Sequence, residues 1–164
     1  VSGILKPTKG TVETYGSIAP LIELGAGFDP ELSAVENIYL NGAVLGYSHA
    51  YMEERVDSIL DFAELEEFRN IAIKNFSSGM TARLGFAIAT MNVPDILILD
   101  EILAVGDYKF QEKSFARTRS LIDSGATLLL VSHSGEQITK LWLDKGHVKM
   151  YGPAEEVCRA YSQM

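Results

Sequence analysis

A single cysteine, Cys158, occurs among the 164 residues. No internal disulfide can form, so nothing in the composition calls for an oxidising compartment, and a cytosolic setting is the default expectation. Three histidines and that lone cysteine are too few and too scattered for a zinc site. Long apolar runs are missing as well. The longest, Ile96-Leu97-Ile98-Leu99 and residues 126–131, fall far short of the roughly 20 residues that span a bilayer, and no basic, hydrophobic leader opens the chain. Any link to a membrane is therefore expected to run through a partner. Basic residues are in deficit: 14 Lys and Arg against 22 Asp and Glu leave a formal charge of −8. A field of that sign repels a duplex and argues against binding nucleic acid by neutralising phosphates over a broad face. Internal repeats, low-complexity stretches and long linkers are absent too.

What is there is ordinary globular material. Apolar residues make up 47% and charged residues 22%, far from the composition of disordered chains, and the length suits one domain or part of a larger one. The chain opens at Val1-Ser2-Gly3 without Met and directly into apolar sequence, so it reads as an excerpt of a longer protein.

Short strands are expected at residues 11–14 and 18–24, around a break at Gly16, followed by a flexible loop at Gly25-Ala26-Gly27-Phe28-Asp29-Pro30. Ser33 with Glu36 three residues later has the spacing of a capping box and predicts a helix start. A second helix is predicted over 50–62, with Met52, Val56, Ile59 and Leu60 on one face. Ser77-Ser78-Gly79-Met80 opens another helix, which Pro94 ends. Ile96-Leu97-Ile98-Leu99 then has the pattern of a strand buried on both faces of a parallel sheet. A helix over 108–122, a second buried strand over 127–131, a hairpin over 142–150 turning on Asp144-Lys145-Gly146, and a short helix from Pro153 complete the chain. The strand–helix alternation implies an α/β fold with a mainly parallel sheet.

In such sheets ligands bind outside the carboxyl ends of the strands, where Asp100, Glu101 and His133 fall. An aspartate closing a buried strand can support Mg²⁺, and a neighbouring glutamate can act on an attacking water in phosphoryl transfer. Taken alone, the acidic pair serves equally as the strand's exit into solvent, and a strand-end histidine is commonly a hydrogen-bonded structural residue. Ser77-Ser78-Gly79 before a helix offers N–H groups and a dipole to an anion, or simply an N-cap.

The order of these elements is more specific than any one of them. Phe76-Ser77-Ser78-Gly79-Met80 is similar to the signature of ABC transporter ATPases, residues 96–101 resemble the Walker B strand, residues 103–107 the D-loop, and His133 the switch histidine. Leu24-Gly25-Ala26-Gly27-Phe28, the stretch 36–42, the stretch 77–86 and Leu103-Ala104-Val105-Gly106-Asp107 resemble the ATPases of bacterial polysaccharide exporters, including O-antigen and teichoic acid exporters. The resemblance implies an incomplete P-loop NTPase-like ABC ATPase domain, with an inserted helical subdomain at about 29–92 and part of the core lobe at 93–164. It further implies ATP and Mg²⁺ as cofactors and a homodimer on the cytoplasmic face of the bacterial membrane, joined to a polytopic permease and not to nucleic acid. By the same resemblance Asp100 supports Mg²⁺, Glu101 acts on the water, and His133 contacts the γ-phosphate. Ser77, Ser78, Gly79 and Met80 face the ATP held by the other subunit, and Asp107 communicates across the dimer. Glu23 stands about where the family's Q-loop glutamine would be, within reach of a metal or water.

Two departures accompany the match. No Gly-x-x-x-x-Gly-Lys-Ser/Thr loop occurs, nor the aromatic residue that stacks on adenine; by resemblance the loop is expected to end roughly ten residues upstream of Val1, and this stretch alone is expected to bind ATP poorly. Between residues 137–141 and 142–146 the family usually has a few more residues, so a short connection is expected there. A non-transport ABC ATPase and a catalytically silent interaction module are the alternatives, the first disfavoured by the charge of −8.

Overall fold

The computed structural model describes residues 3, 5–21, 24–100, 107–131, 141–144, 147–152, 156–157 and 159–160. Three parallel strands, β1 (Ile18–Leu21), β2 (Ile96–Asp100) and β3 (Thr127–Val131), form a sheet with β2 in the centre. Leu97, Ile98 and Leu99 are buried, as expected of a central strand clothed on both faces. Pro20 has no N–H to offer a ladder, and β1 is an edge strand of this sheet, where that loss is tolerated.

The expected strand at residues 11–14 does not form: this stretch is irregular and exposed, with no partner to fill its ladder among the described residues. β1 is described over Ile18–Leu21; Leu24, the end of the expected range, lies in a turn, and residues 22 and 23 lie outside the described residues. β3 is less buried than expected. Leu128 is half-buried against the core while Leu129 and Val131 on the alternate face are exposed, with no described element covering that face.

The start of the sheet is fastened by side chains. Ser17 donates from N (2.7 Å) and Oγ (2.8 Å) to Asp95 Oδ2, and these bonds hold the Asp95 carboxyl below the usual aspartate range. A carboxylate with a lowered pKa stabilises the fold above its unfolded pKa, a contribution lost as pH falls through the lowered value. Gly16 sits at φ +99°, and a Cβ there would come within 2.6 Å of Asp95.

Four helices lie between β1 and β2 in the chain. Helix α1 (Ala34–Val44) starts at the expected capping box: Ser33 Oγ accepts from Glu36 N, and the Glu36 carboxylate accepts from Ser33 N at 2.8 Å. Asn37, on its inner face, is fully buried. It accepts from Asp29 N (2.8 Å) and donates to the carbonyls of Asp29, Leu32 and Ser33, tying the end of the loop to α1. Asn37→Leu strands those groups away from water, and urea unfolding is expected to show a loss of about 2–3 kcal/mol.

The predicted helix 50–62 is two: α2 (His49–Glu53) and α3 (Val56–Ala63). Arg55 explains the break. Its guanidinium lies 3.5 Å from the Tyr51 ring centroid and donates to the Tyr51 carbonyl, the acceptor its own N–H would use in a continuous helix. That N–H bonds the Met52 carbonyl instead, at 2.9 Å. The apolar face still holds, with Met52, Val56, Ile59 and Leu60 all buried.

Helix α3 ends in a Schellman motif. Leu65 N donates to the Leu60 carbonyl (3.0 Å), Glu64 N to the Asp61 carbonyl (3.1 Å), and buried Leu65 and Leu60 supply the apolar contact that accompanies the motif. The left-handed position, usually glycine, is Glu64 at φ 58°, the one non-glycine residue with positive φ among those described. Two short 3-10 turns, Glu66–Phe68 and Ile73–Asn75, lead to α4 (Ser78–Ala89).

After β2 comes α5 (Tyr108–Asp123), whose buried stripe is Phe110, Ser114, Thr118 and Leu121. Phe110 meets Phe62 of α3 and Phe86 of α4 edge-on, at centroid distances of 5.7 and 6.3 Å. Phe62 and Phe86 stack at 6.0 Å, so three rings join three helices. The expected hairpin forms from β4 (Leu141–Asp144) and β5 (His147–Tyr151), with a register shift between Trp142 and Leu143. Its turn at Lys145 and Gly146 lies outside the described residues. Leu141 belongs to the strand, and the expected short connection before it, at residues 137–140, lies outside the described residues.

Candidate functional site

Backbone register brings the strand ends to one edge. Ile18 pairs with Ile96 and Ile96 with Thr127, so Leu21 ends opposite Leu99 and Asp100 opposite Val131. Asp100 is the last residue of the central strand. Glu23, Glu101 and His133 lie outside the described residues.

Ser77 caps α4. Its Oγ accepts from Met80 N at 3.2 Å, and its carbonyl accepts from Thr81 N and Thr81 Oγ1. Ser77 and Ser78 are exposed, while Gly79 and Met80 are half-buried, Met80 against the apolar core. A helix start leaves its first N–H groups without intrahelical acceptors, and the macrodipole adds partial positive charge there. The end of α4 that carries the serine-glycine motif therefore offers solvent an anion-attracting surface. Asp107 is likewise an N-cap: its Oδ1 accepts from Phe110 N at 3.0 Å at the head of α5, and the residue is exposed. Among the described residues no cluster of three or more His, Cys, Asp or Glu gathers as a metal site.

A cleft of about 530 Å³ was not anticipated. It runs between the start of β1, the loop after it, the end of α1 and α4, with Leu24, Phe28, Val44, Leu45, Tyr47 and Ile88 among its walls. Its rim is apolar and open, with Val44 77% and Leu45 47% exposed. The floor depends on glycine. A Cβ on Gly85 would meet Gly25 N at 2.7 Å and Leu24 C at 3.2 Å, and Gly25 itself is at φ +87°. A glycine inside an apolar helix was the available sequence signal, since it is tolerated there mainly for close approach.

Comparison with known proteins bears on the family and the fold. The family model described as ABC transporter matches residues 1–104. An O-antigen export system ATP-binding protein of Klebsiella pneumoniae is 44% identical over 168 aligned positions, covering 99% of this chain and 68% of the relative. A teichoic acids export ATP-binding protein of Bacillus anthracis is 39% identical over 99% of this chain and 30% of its own length. Among solved structures, an ATP-binding subunit of an ABC transporter superposes with a TM-score of 0.71 at 23% identity, over 89% of this chain and 62% of that one. A dimeric ATP-binding cassette holding ADP and phosphate gives 0.66 at 24% identity, over 84% and 63%. These two share the fold, an α/β architecture of the P-loop NTPase type built on a parallel sheet. The match across more than half of the chain, with relatives of this identity, establishes that the chain belongs to the ABC transporter family.

Proposed function

We propose that this chain is the ATP-hydrolysing subunit of a system that exports a cell-surface polysaccharide, working as a homodimer on the cytoplasmic face of the membrane. The observation that carries the reading is the outward-facing start of α4. Ser77 and Ser78 are exposed at an N-terminus suited to phosphate, a half-site that needs a second surface to complete it. In the proposed dimer, Ser77, Ser78, Gly79 and Met80 face the triphosphate held by the partner copy, and Asp107 lies near the same interface.

The second half of the reading concerns the strand edge. Glu101 follows Asp100 directly, Glu23 comes two residues after Leu21, and His133 two after Val131, each just past one of three strands in register. That juxtaposition supports Glu101 as the group acting on the attacking water and His133 as a contact to the γ-phosphate. Asp100 and Glu23 offer carboxylate oxygens, the hard donors that Mg²⁺ takes, and the ion would neutralise phosphate charge when bound. We assign the helices between β1 and β2, at about 29–92, to an inserted subdomain that passes motion to the membrane partner, and 93–164 to the core lobe. The apolar cleft supports that partner: its exposed rim suits a short segment of a polytopic permease. Among the described residues no helix is long and apolar enough to cross a membrane.

Ser77→Arg in the full-length gene product tests the half-site. Bulk and charge at the helix start are expected to block ATP-driven dimerisation, read by light scattering, while ATP binding to a single protomer persists. Dimerisation at the parent level would overturn the assignment.

A further inference from the structure

A carboxylate sits where a glycine would serve the backbone better. Glu64 occupies the left-handed position of the α3 Schellman motif, a conformation that L side chains resist and glycine adopts freely. Its side chain is engaged on both oxygens. Oε2 lies 3.5 Å from Arg83 Nη1 of α4, and Oε1 lies 3.4 Å from Lys113 Nζ of α5. The two cations lie against the aromatic core, Arg83 over the Phe110 ring at 5.6 Å and Lys113 over the Phe62 ring at 4.9 Å. Lys113 also donates to the Asp61 carbonyl at the end of α3. Arg83 Nε is buried without a hydrogen-bond partner among the described residues, a cost the ion pair helps to offset.

The positions of the cations matter. Arg83 is six residues beyond Ser77, the cap of α4, and Lys113 is six beyond Asp107, the cap of α5. Within a helix that separation is fixed at about 9 Å, so whatever holds the two cations together also holds the two caps in a set relation. We propose that Glu64 is a positioning residue: its carboxylate clasps α4 to α5 and thereby sets the start of α4 relative to the head of α5. The functional half of this inference rests on the dimer reading above, in which those two helix starts face the partner copy. The helix stop needs no carboxylate; the clasp does.

E64G separates the two roles, because glycine keeps the left-handed turn and removes the charge, while E64Q keeps the shape. Both are made in the full-length gene product, in a Cys158→Ser background with nitroxide labels at exposed Asn75, just before α4, and exposed Glu112 on α5. The distance distribution between labels is expected to broaden in both variants. The thermal midpoint of E64G is expected to stay at or above that of E64Q, since the backbone strain is relieved. ATP-driven dimerisation is expected to weaken about 3- to 10-fold in both, with single-protomer ATP binding unchanged. An unchanged distribution overturns the clasp. A broadened distribution with unchanged dimerisation overturns its positioning role, as does loss of dimerisation that merely follows a fallen midpoint in E64G. If the parent itself does not dimerise with ATP, the dimer reading fails, while the labels still decide the clasp.

Discussion

Glu101→Gln in the full-length gene product is expected to lower ATP turnover by about 100-fold or more, the range over which a positioned general base contributes. The amide keeps the size and hydrogen-bonding outline of the carboxylate but cannot accept a proton from water. ATP binding and ATP-driven dimerisation are therefore expected to survive, and the dimer to persist longer because its nucleotide is not consumed. Phosphoryl transfer to water depends mainly on positioning and charge stabilisation, so a residual rate from the remaining groups is expected. Turnover and dimer lifetime measured on the same preparation check the assignment, and turnover at the parent level would remove Glu101 from the chemistry. The contrast with Ser77→Arg is diagnostic: one change is expected to stop the reaction after the dimer forms, the other to prevent the dimer.

Phe86→Ala is expected to be the most destabilising single truncation in the described core. Phe86 is fully buried and forms one corner of the ring triad with Phe62 and Phe110. Removing it deletes transferred apolar area and leaves a cavity that three helices cannot jointly close, for a cost of about 3–5 kcal/mol. In a protein of this size class the thermal midpoint is expected to fall by roughly 10 °C. Phe86→Leu is expected to lose less than half as much, and equal losses for the two would mean that the site relaxes around the gap.

Much of this architecture was legible because local chemistry and tertiary structure agree. Ser33 and Glu36 announce α1 through bonds made within one turn, and Ile96-Leu97-Ile98-Leu99 has the uninterrupted apolarity that only a two-sided burial satisfies. Where the deciding contact is elsewhere, the reading fails. The apolar run of β3 looks like that of β2, yet Leu129 and Val131 are exposed because burial depends on what covers the sheet. Periodicity in 50–62 is blind to the break at Arg55, which arises from a guanidinium taking a carbonyl.

The site divides in the same way. Ser77 could be recognised as a helix start and is a cap, since an N-cap is a local device; Asp107, read only as part of the D-loop resemblance, caps the helix expected over 108–122. Glu64 could not, because its backbone defies its own propensity and its partners come from two other helices. The cleft was invisible for a related reason: its walls come from four separated stretches of chain.

The floor and the rim of that cleft answer differently to change. At the floor, Gly25 and Gly85 meet backbone to backbone, and even one methyl group at residue 85 would fall 2.7 Å from a main-chain nitrogen that has no rotamer into which it could retreat. At the rim, Val44 and Leu45 stand in solvent, where substitutions cost the fold little. The shape of the cleft is thus held by positions that cannot drift, while its outer chemistry is carried by positions that can. In the proposed complex, the surface offered to the membrane partner can thus change while the floor beneath it stays as it is.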